Sequence, residues 1–486
     1  MKNIIRNLDK DLSCDFLIVG SGAGGSVAAS ELSAKGKDCI LVEEGDYFEI
    51  DHFKGSTKNS FLKVWRNSGF TPIIGNPNIA FGEGMCLGGS TYINGGLIWR
   101  TPEHVLETWE RENKIEGYNL KNLEKHFKKI ETNLHVRVEN NSDGLNKDSQ
   151  IIYDKAIEKN LKALFVPRAI KHCFRHNNCS TGCSSKGKIS VLDGYLKDLK
   201  NKIKIIVNAK VSKILTSGNK VKFINILNKN NNKTYKISFN KLILACGATQ
   251  TPQLLRKSLG RIVGNTNMKI HLNLRIGAKY KESIDSNKGT IFTTQIQEFL
   301  KEGAIFMSSN FNKSLFASAN SKMSSEEMQS FLRDEDKLTN FVLQVAPKSH
   351  VKINNYFDVP FLQFRLSDAD LMMIKKHLLF FSCFLFDCGF KQIVLPLQKG
   401  YKFNSYEAVK ERIEKIKKNE LEMISVHGMS SVPISKDKYY FFDNNGQSRK
   451  FDNLYCVDAS VLPSNIGESP QGTIMAFAHE IMDRMN

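Results

Sequence analysis

Three glycines near the start of the chain are spaced as in a phosphate-binding turn. Gly20, Gly22 and Gly25 form a Gly-x-Gly-x-x-Gly pattern after the apolar residues 16–19, and Glu43 follows 18 residues after the last glycine. Such glycines permit a tight turn and close approach of backbone amides to a diphosphate, while a carboxylate at this spacing can accept hydrogen bonds from ribose hydroxyls. The pattern therefore predicts dinucleotide binding.

A second glycine-rich stretch lies at residues 84–96, where glycines surround Ser90 and Thr91. This composition disfavours helix and strand, because glycine loses more backbone freedom on folding than any other residue. Backbone amides in such a stretch can contact a flat or an anionic group. The sequence therefore predicts a loop held against a ligand, with an ordinary glycine-rich turn as the alternative.

Three cysteines suggest a metal site at first sight. Cys173, Cys179 and Cys183 follow a C-x5-C-x3-C spacing, with His172 and His176 nearby. Structural zinc sites usually pair cysteines two to four residues apart and add a second ligand pair downstream, and this spacing does not fit. We therefore predict no metal here and favour a structural role.

The first glycine pattern needs a strand before it and a helix after it. Residues 16–19 indicate a buried strand that ends at Gly20, small and apolar residues after Ser26 indicate a short helix, and Cys39–Val42 indicates a second strand. Together they form a βαβ unit of about 30 residues, the size with which a dinucleotide-binding domain begins.

The second half of the chain has a different pattern. Between residues 271 and 426, strand-like segments such as FVLQVAP and PFLQFRL accompany one long apolar helix at residues 367–388. We interpret this region as a second domain on an antiparallel sheet, with the helix packed beneath the sheet rather than against a lipid chain. The chain then ends with a strand at residues 453–457 and a helix at residues 473–485.

Composition narrows the class of protein. A chain of 486 residues with 41% hydrophobic residues can bury a large core, which excludes a disordered or fibrous protein. The net charge of +19 is spread without a basic stripe, so no nucleic-acid partner is predicted. Ten cysteines are too few for a disulfide scaffold, which favours a reducing compartment, with the cytoplasm as the default localisation.

The sequence also bears on membranes. It shows no secretory signal and no apolar run long enough to cross a bilayer, so no transmembrane segment is predicted. Peripheral contact with a membrane surface stays an open alternative. The strongly positive net charge also leaves open an alternative function: a basic binding protein whose nucleotide domain is purely structural.

Five motifs resemble those of the glucose-methanol-choline (GMC) flavin oxidoreductases, and in the same order. They are the first glycine pattern with Glu43, LGGSTYINGG, CGATQTPQLL at residues 246–255, HGMSS from His427, and VDASVLPSNIGESPQGTIMAFA at residues 457–478. The resemblance implies an α/β fold, with a Rossmann-like FAD-binding βαβ domain assembled from discontinuous segments and a substrate domain on a mostly antiparallel sheet. The implied domains are residues 1–268 with a cysteine-bearing insertion near 135–190, residues 269–433 for substrate, and residues 434–486 returning to the FAD-binding domain.

The resemblance also implies which residues contact FAD. The first glycines would lie at the diphosphate, Glu43 at the adenosine ribose and Val211 at the adenine, through its backbone. The remaining positions would line the flavin and its ribityl chain. The implied cofactor-binding residues are Gly20, Gly22, Ala23, Gly25, Glu43, Gly89, Ser90, Asn94, Val211, Asp458, Ala459, Gln471 and Thr473.

By the same resemblance, His427 is the catalytic base. Alcohol oxidation removes a hydride from carbon and needs an acceptor for the hydroxyl proton, and a neutral imidazole with a pKa of about 6.5 suits that task. The second polar residue of the family, usually His or Asn before a Pro, is Ser469 here. Two interpretations follow: FAD-dependent oxidation of a small-molecule alcohol, with Ser469 as a weaker partner, or a non-redox, lyase-type flavin enzyme.

Two further expectations concern the flavin and the other histidines. Some members attach the flavin through a histidine just before the position of Asn94, and because Ile93 stands there, we predict non-covalent FAD. The electron acceptor is left open. Five other histidines are expected to be ordinary surface or core residues. They are His104, His172, His271, His350 and His377.

Overall fold

The fold is described by a computed structural model that covers residues 4–49, 56–139, 145–199, 203–264, 266–309, 311, 313–356 and 359–485. Two large β-sheets with flanking helices account for most of the ordered structure. One is a mainly parallel sheet of eight strands, and the other is a mainly antiparallel sheet of fourteen. The predicted α/β class, with a Rossmann-like domain and a second sheet, is confirmed.

The elements are numbered in chain order. The strands are β1 (Ile4–Ile5), β2 (Leu12–Val19), β3 (Cys39–Val42), β4 (Thr71–Asn76), β5 (Ile79–Phe81), β6 (Val136–Val138), β7 (Ala163–Phe165), β8 (Pro167–Ala169), β9 (Lys204–Ile206), β10 (Ala209–Ser217), β11 (Lys220–Asn228), β12 (Lys233–Leu244), β13 (Asn267–Ile270), β14 (Leu272–Lys279), β15 (Thr294–Ile296), β16 (Ala304–Ser308), β17 (Leu338–Val345), β18 (Val351–Tyr356), β19 (Val359–Arg365), β20 (Gln392–Val394), β21 (Lys402–Phe403), β22 (Met423–Ser425), β23 (Gly428–Met429) and β24 (Leu454–Cys456). The α-helices are α1 (Ala23–Ala34), α2 (Thr57–Val64), α3 (Glu103–Glu112), α4 (Leu120–Asn133), α5 (Lys147–Glu158), α6 (Gly247–Leu259), α7 (Lys313–Ala319), α8 (Ser325–Leu332), α9 (Asp368–Asp387), α10 (Tyr406–Glu414) and α11 (Gln471–Arg484).

The first sheet contains the predicted βαβ unit. Its strand order is β1-β9-β3-β2-β12-β11-β10, and β24 pairs in parallel with β12 through Leu242 and Leu454. Strands β2 and β3 and helix α1 confirm the prediction, although α1 begins at Ala23, earlier than expected. Strand β24 and helix α11 confirm the predicted C-terminal elements.

Helix α1 lies unusually close to the backbone of the sheet. A Cβ atom at Gly25 would lie 1.9 Å from the carbonyl oxygen of Gly20, and one at Gly24 would lie 2.0 Å from that of Val457. No side chain fits at these distances, so glycine is required at both positions. The two contacts join the start of α1 to the end of β2 and to the segment after β24.

The second sheet draws strands from both sides of the predicted domain boundary at residues 268 and 269. Its order is β23-β13-β18-β19-β4-β5-β22-β14-β17-β16-β15-β7, with β20 and β21 attached through β14. Strands β4, β5 and β7 precede the boundary, and β13 spans it. The boundary itself stays a prediction. Residues 140–144 of the predicted insertion lie outside the described residues.

The long apolar helix is a core element. The prediction for residues 367–388 is confirmed by α9, whose N-cap Ser367 accepts a hydrogen bond from the backbone of Asp370. Phe381 on this helix is fully buried and stacks on Phe306 of β16, with ring centroids 4.4 Å apart. The helix therefore packs on the second sheet, as expected. Among the described residues, no helix is long and apolar enough to span a bilayer.

Candidate active site

A cavity of about 640 Å³ opens at the carboxyl ends of the parallel strands. Open α/β sheets bind ligands at this edge, where loops from neighbouring strands converge. Of the predicted site residues, all but Gly25 and Thr473 line the cavity. Those that line it are Gly20, Gly22, Ala23, Glu43, Gly89, Ser90, Asn94, Val211, His427, Asp458, Ala459, Ser469 and Gln471.

The two exceptions pack beside the cavity. Gly25 faces the carbonyl of Gly20, so it brings α1 against the strand rather than lining the wall. The Thr473 hydroxyl lies 2.8 Å from that of Thr101 and is fully buried. Both residues thus border the cavity without lining it, and their predicted contacts with FAD stay a prediction.

One end of the cavity has the features of an anion site. Gly22 is the N-cap of α1, it provides no side-chain cap, and a Cβ atom there would meet open space. The first amides of α1 are thus directed to the cavity with the positive end of the helix dipole. At the neighbouring strand end, the Glu43 carboxylate accepts hydrogen bonds from the Ser21 hydroxyl at 2.6 Å and the Gly45 amide at 2.8 Å. Burial raises the pKa of Glu43.

Two other predicted residues occupy defined backbone positions. Val211 lies on β10 just before an irregularity in the pairing with β11, between Val211 and Lys213. Such bulges interrupt the ladder and often occur beside binding sites. Asp458 uses both carboxylate oxygens within the protein: one accepts from the Gly247 amide at 2.9 Å, and the other from the Ser460 amide at 2.8 Å. Its side chain therefore fixes the loops that form this wall.

Asn94 and Gln471 meet although they are far apart in sequence. The side-chain nitrogen Nδ2 of Asn94 donates to the side-chain oxygen Oε1 of Gln471 at 2.6 Å, and the side-chain oxygen Oδ1 of Asn94 accepts from the backbone amide of Gly96 at 3.0 Å. The contact joins the second glycine-rich stretch to the start of α11. It places two parts of the predicted flavin environment side by side.

The sequence analysis missed Lys188, which organises this glycine-rich stretch. Its ammonium group donates to the carbonyl oxygens of Tyr92 at 2.6 Å, Asn94 at 2.9 Å, Thr91 at 3.2 Å and Cys179 at 3.3 Å. Burial lowers the pKa of Lys188 to about 8, so it is still mainly charged at neutral pH. The lysine belongs to the cysteine-bearing insertion, so this insertion shapes the wall of the cavity.

The three cysteines of the insertion contact protein groups. The Cys173 sulfur lies 3.1 Å from the Thr290 hydroxyl, the Cys179 sulfur accepts from the Arg168 guanidinium at 3.7 Å, and the Cys183 sulfur accepts from the Lys188 amide at 3.4 Å. In the described part of the chain, the side chains whose ligand atoms lie close enough together to hold a metal ion are those of His126, Glu480 and Asp483. The three cysteines, all within the described residues, do not form such a cluster.

His427 forms a pair with a second histidine. Nδ1 of His427 lies 3.1 Å from Nδ1 of His271, which is fully buried, and the rings meet edge to face. His271 was expected to be an ordinary surface or core residue. It is a core residue with satisfied hydrogen bonds, but its partner is the candidate base. The sequence holds no local signal for this contact, because 156 residues separate the two.

The backbone of Gly467 sets the proton positions in this pair. Its amide donates to Nε2 of His271 at 3.2 Å, so a neutral His271 carries its proton on Nδ1 and donates to Nδ1 of His427. Nε2 of a neutral His427 then carries a proton and is the nitrogen left for a bound molecule. The opposite tautomers would free Nε2 as an acceptor at the cost of the Gly467 hydrogen bond, about 1–3 kcal/mol.

Burial keeps both rings uncharged. It lowers the pKa of His427 to about 4 and that of His271 well below its ordinary value, with the neighbouring His427 as a further cause. At neutral pH the cavity therefore contains a neutral imidazole. Ser469, the predicted second polar residue, lines the same cavity and donates its amide to the carboxylate of Glu468 at 3.3 Å.

Comparison with known proteins agrees with this architecture. Family models described as GMC oxidoreductase match residues 14–274 in their N-terminal part and residues 358–478 in their C-terminal part. The chain belongs to the GMC oxidoreductase family. The resemblance proposed from the five motifs is thus confirmed, and the protein is an oxidoreductase.

Several GMC relatives align over almost the whole chain. A GMC-type oxidoreductase of Sinorhizobium fredii is 26% identical, and the alignment covers 98% of this chain and 95% of the relative's chain. A long-chain-alcohol oxidase of Arabidopsis thaliana is 22% identical, covering 96% of this chain and 68% of its own.

Solved GMC-like structures share the fold. Pyridoxine 4-oxidase from Mesorbium loti superimposes with a TM-score of 0.74 at 13% identity, covering 97% of this chain and 99% of its own. Formate oxidase from Aspergillus oryzae RIB40 gives 0.73 at 12% identity, covering 98% of both chains. At this identity the similarity concerns the fold alone.

Replacement of Lys188 by Met should disturb the glycine-rich stretch. Methionine keeps most of the volume but leaves buried carbonyl oxygens without a donor, so we expect a loss of stability of about 2–4 kcal/mol, measured as a lower midpoint of urea unfolding. Lys171→Met, at an exposed lysine of the same insertion, is the control and should leave the midpoint unchanged. Equal midpoints for both variants would show that the Lys188 contacts do not hold this wall.

Proposed function

We propose that this GMC oxidoreductase oxidises an alcohol by hydride transfer to non-covalently bound FAD, with His427 handling the hydroxyl proton. The observation that carries the proposal is one cavity in which an uncapped helix N-terminus, a glycine-rich stretch and a neutral histidine are all exposed to the same ligand space. The long-chain-alcohol oxidase among the relatives and the pyridoxine 4-oxidase fold support oxidation of a small-molecule alcohol.

The cavity residues suit FAD. Amides at the start of α1 would bind the diphosphate, Glu43 the adenosine ribose and the backbone of Val211 the adenine, while the Asn94–Gln471 pair would lie near the flavin. When bound, the flavin supplies a two-electron acceptor for the hydride. A formate oxidase with the same fold is described with FAD modification, which also supports FAD as the cofactor class.

His427 and Ser469 provide the polar groups for the substrate hydroxyl. In the tautomer that gives up the Gly467 hydrogen bond, His427 carries its proton on Nδ1 and donates a hydrogen bond to Nδ1 of His271, so that Nε2 is free to take up the hydroxyl proton. Ser469 can donate to the hydroxyl or accept from it. The His271–His427 pair therefore determines whether Nε2 donates a hydrogen bond or accepts a proton.

The cytoplasm remains our proposed localisation. All ten cysteines are free, which suits a reducing compartment. The electron acceptor is not part of the proposal, because oxygen and larger acceptors differ in the access to the flavin that they need.

Anaerobic mixing of the purified protein with separate primary and secondary alcohols tests the function directly. We expect the absorbance of oxidised flavin to disappear with at least one alcohol. A flavin that stays oxidised across a broad panel would favour the non-redox, lyase-type alternative that Ser469 raised. A colourless protein with salt-sensitive retention on DNA or anionic lipid would instead favour the basic binding protein.

The attachment of the flavin is tested by denaturation. Ile93 lines the cavity where some family members have a linking histidine, and an aliphatic side chain cannot form that bond. After acid precipitation we expect all yellow colour in the supernatant, with the mass of intact FAD. Flavin that remains in the pellet, or a protein mass increased by that of the cofactor, would contradict non-covalent binding.

The role of His427 is tested by substitution and by pH. His427→Gln should lower kcat by about 10²–10⁴-fold while bound flavin is unchanged, whereas His172→Gln, at an exposed histidine, should have no effect. Because burial lowers the pKa of His427 to about 4, the neutral form persists in acid, and kcat/KM should fall only as the pH approaches 4. A fall centred near 6.5, or one that persists in His427→Gln, would assign the proton to another group.

A further inference from the structure

An arginine on the second sheet faces the cavity opposite the nucleotide end. Asn273 and Arg275 lie two residues apart on β14, so their side chains are on one face of the sheet, and the register pairs them with Gln344 and Val342 of β17. All four line the cavity. His271 lies immediately before β14, and its backbone amide donates to the carbonyl oxygen of His427, so this polar patch adjoins the histidine pair.

Arg275 has no anionic partner among the described residues. It forms no ion pair or hydrogen bond there, and its Nε is buried without a partner. Burial alone accounts for the lowered pKa of its guanidinium, with no opposing carboxylate. Asn273, also at the cavity wall, makes no side-chain hydrogen bond within the described part of the chain.

Two other cations that line the cavity, Arg66 and Lys210, are paired with carboxylates of the protein. Arg66 contacts Glu44 at 2.9 Å and Glu83 at 2.7 Å, and Lys210 lies 3.5 Å from Glu44. These charges are balanced by the protein before any ligand binds. Arg275 is not balanced in this way.

An uncompensated buried cation is costly. Removal of a charge from water costs several kcal/mol, and an arginine does not avoid this cost by losing its proton, because a guanidinium stays protonated in proteins. An incoming anion offsets the cost, and the planar fork of a guanidinium binds a carboxylate or phosphate through two parallel hydrogen bonds. Arg275 lies on the second sheet, on the same strand as the cavity-lining Asn273 and four residues after His271, and this position associates the anion with the substrate.

We infer that Arg275 binds an anionic group of the substrate, so that the preferred substrate is an alcohol carrying a carboxylate or phosphate at a distance from the hydroxyl. Asn273 provides an additional hydrogen-bonding group beside it. Arg275 follows His271, the partner of His427, by four residues, which favours a spacer between the oxidised carbon and the anion. The inference rests on the proposed function, because the oxidised end of the substrate is placed at His427.

The test compares ω-hydroxycarboxylates of increasing length, the phosphate monoesters of matched diols and the uncharged diols themselves. We expect the wild-type flavoprotein to show a KM about 10- to 100-fold lower for one anionic series than for the diols. The two anionic series separate carboxylate from phosphate recognition. In Arg275→Met this preference should disappear, because the KM for the anionic series rises towards that for the diols, while the flavin content stays unchanged.

Two controls separate recognition from folding. Arg275→Lys keeps the charge without the fork and should keep part of the preference, and Arg261→Met, at an exposed arginine, should keep all of it. Because Arg275 is unpaired, Arg275→Met should not lower the melting temperature of the ligand-free protein. A lower melting temperature, or loss of flavin, would show a structural or cofactor role and overturn the inference.

A binding measurement keeps the inference separate from the proposed function. Calorimetry with non-oxidisable alkyl carboxylates and alkyl phosphates needs no turnover, and the affinity for one of them should fall about 10- to 100-fold in Arg275→Met. If that loss occurs but no alcohol reduces the flavin, Arg275 binds anions and the proposed function fails. If diols reduce the flavin but neither affinity nor KM depends on Arg275, the inference fails and the proposed function stands.

Discussion

The close contact between α1 and the backbone beneath it is the constraint on which the site depends. A single methyl group at Gly24 or Gly25 would overlap a carbonyl oxygen, so the helix can reach its position only with glycine there. In that position its first amides face the cavity, and its contact with Val457 aligns the C-terminal segment with the first βαβ unit. The loops after β2, β3, β12 and β24 thereby share one edge of the sheet.

The two sides of the cavity differ in how charge is balanced. On the nucleotide side, Arg66 and Lys210 are paired with carboxylates, and Glu43 is surrounded by donors from its own chain. On the side of the second sheet, His271 and His427 are neutral, and Arg275 has no ionic partner among the described residues. A surface whose charges are already paired suits a cofactor that does not vary. A charged group without an ionic partner is suited to distinguish between different incoming substrates.

Much of the fold could be predicted from sequence because its signals are local. The βαβ unit, the long helix α9 and the motif residues that line the cavity each depend on patterns within a few tens of residues. The pairing of β4, β5 and β7 into the second sheet could not be predicted, because their partners are distant along the chain. The same reason hides His271 and Lys188, whose roles arise from contacts across 156 residues and across 94 to 97 residues, respectively. Arg275 did leave a signal, a lone charge inside the apolar run LNLRIGA, and its meaning required the cavity.

The contact between Asn94 and Gln471 has a consequence for the order in which the protein matures. The wall that these residues form needs both an early segment and one of the last segments to leave the ribosome. The segments of β2, α1 and β3 are synthesised long before α11, so this wall can be completed only after the last helix has been added. A polypeptide that ends before α11 lacks Gln471 and with it one side of the wall.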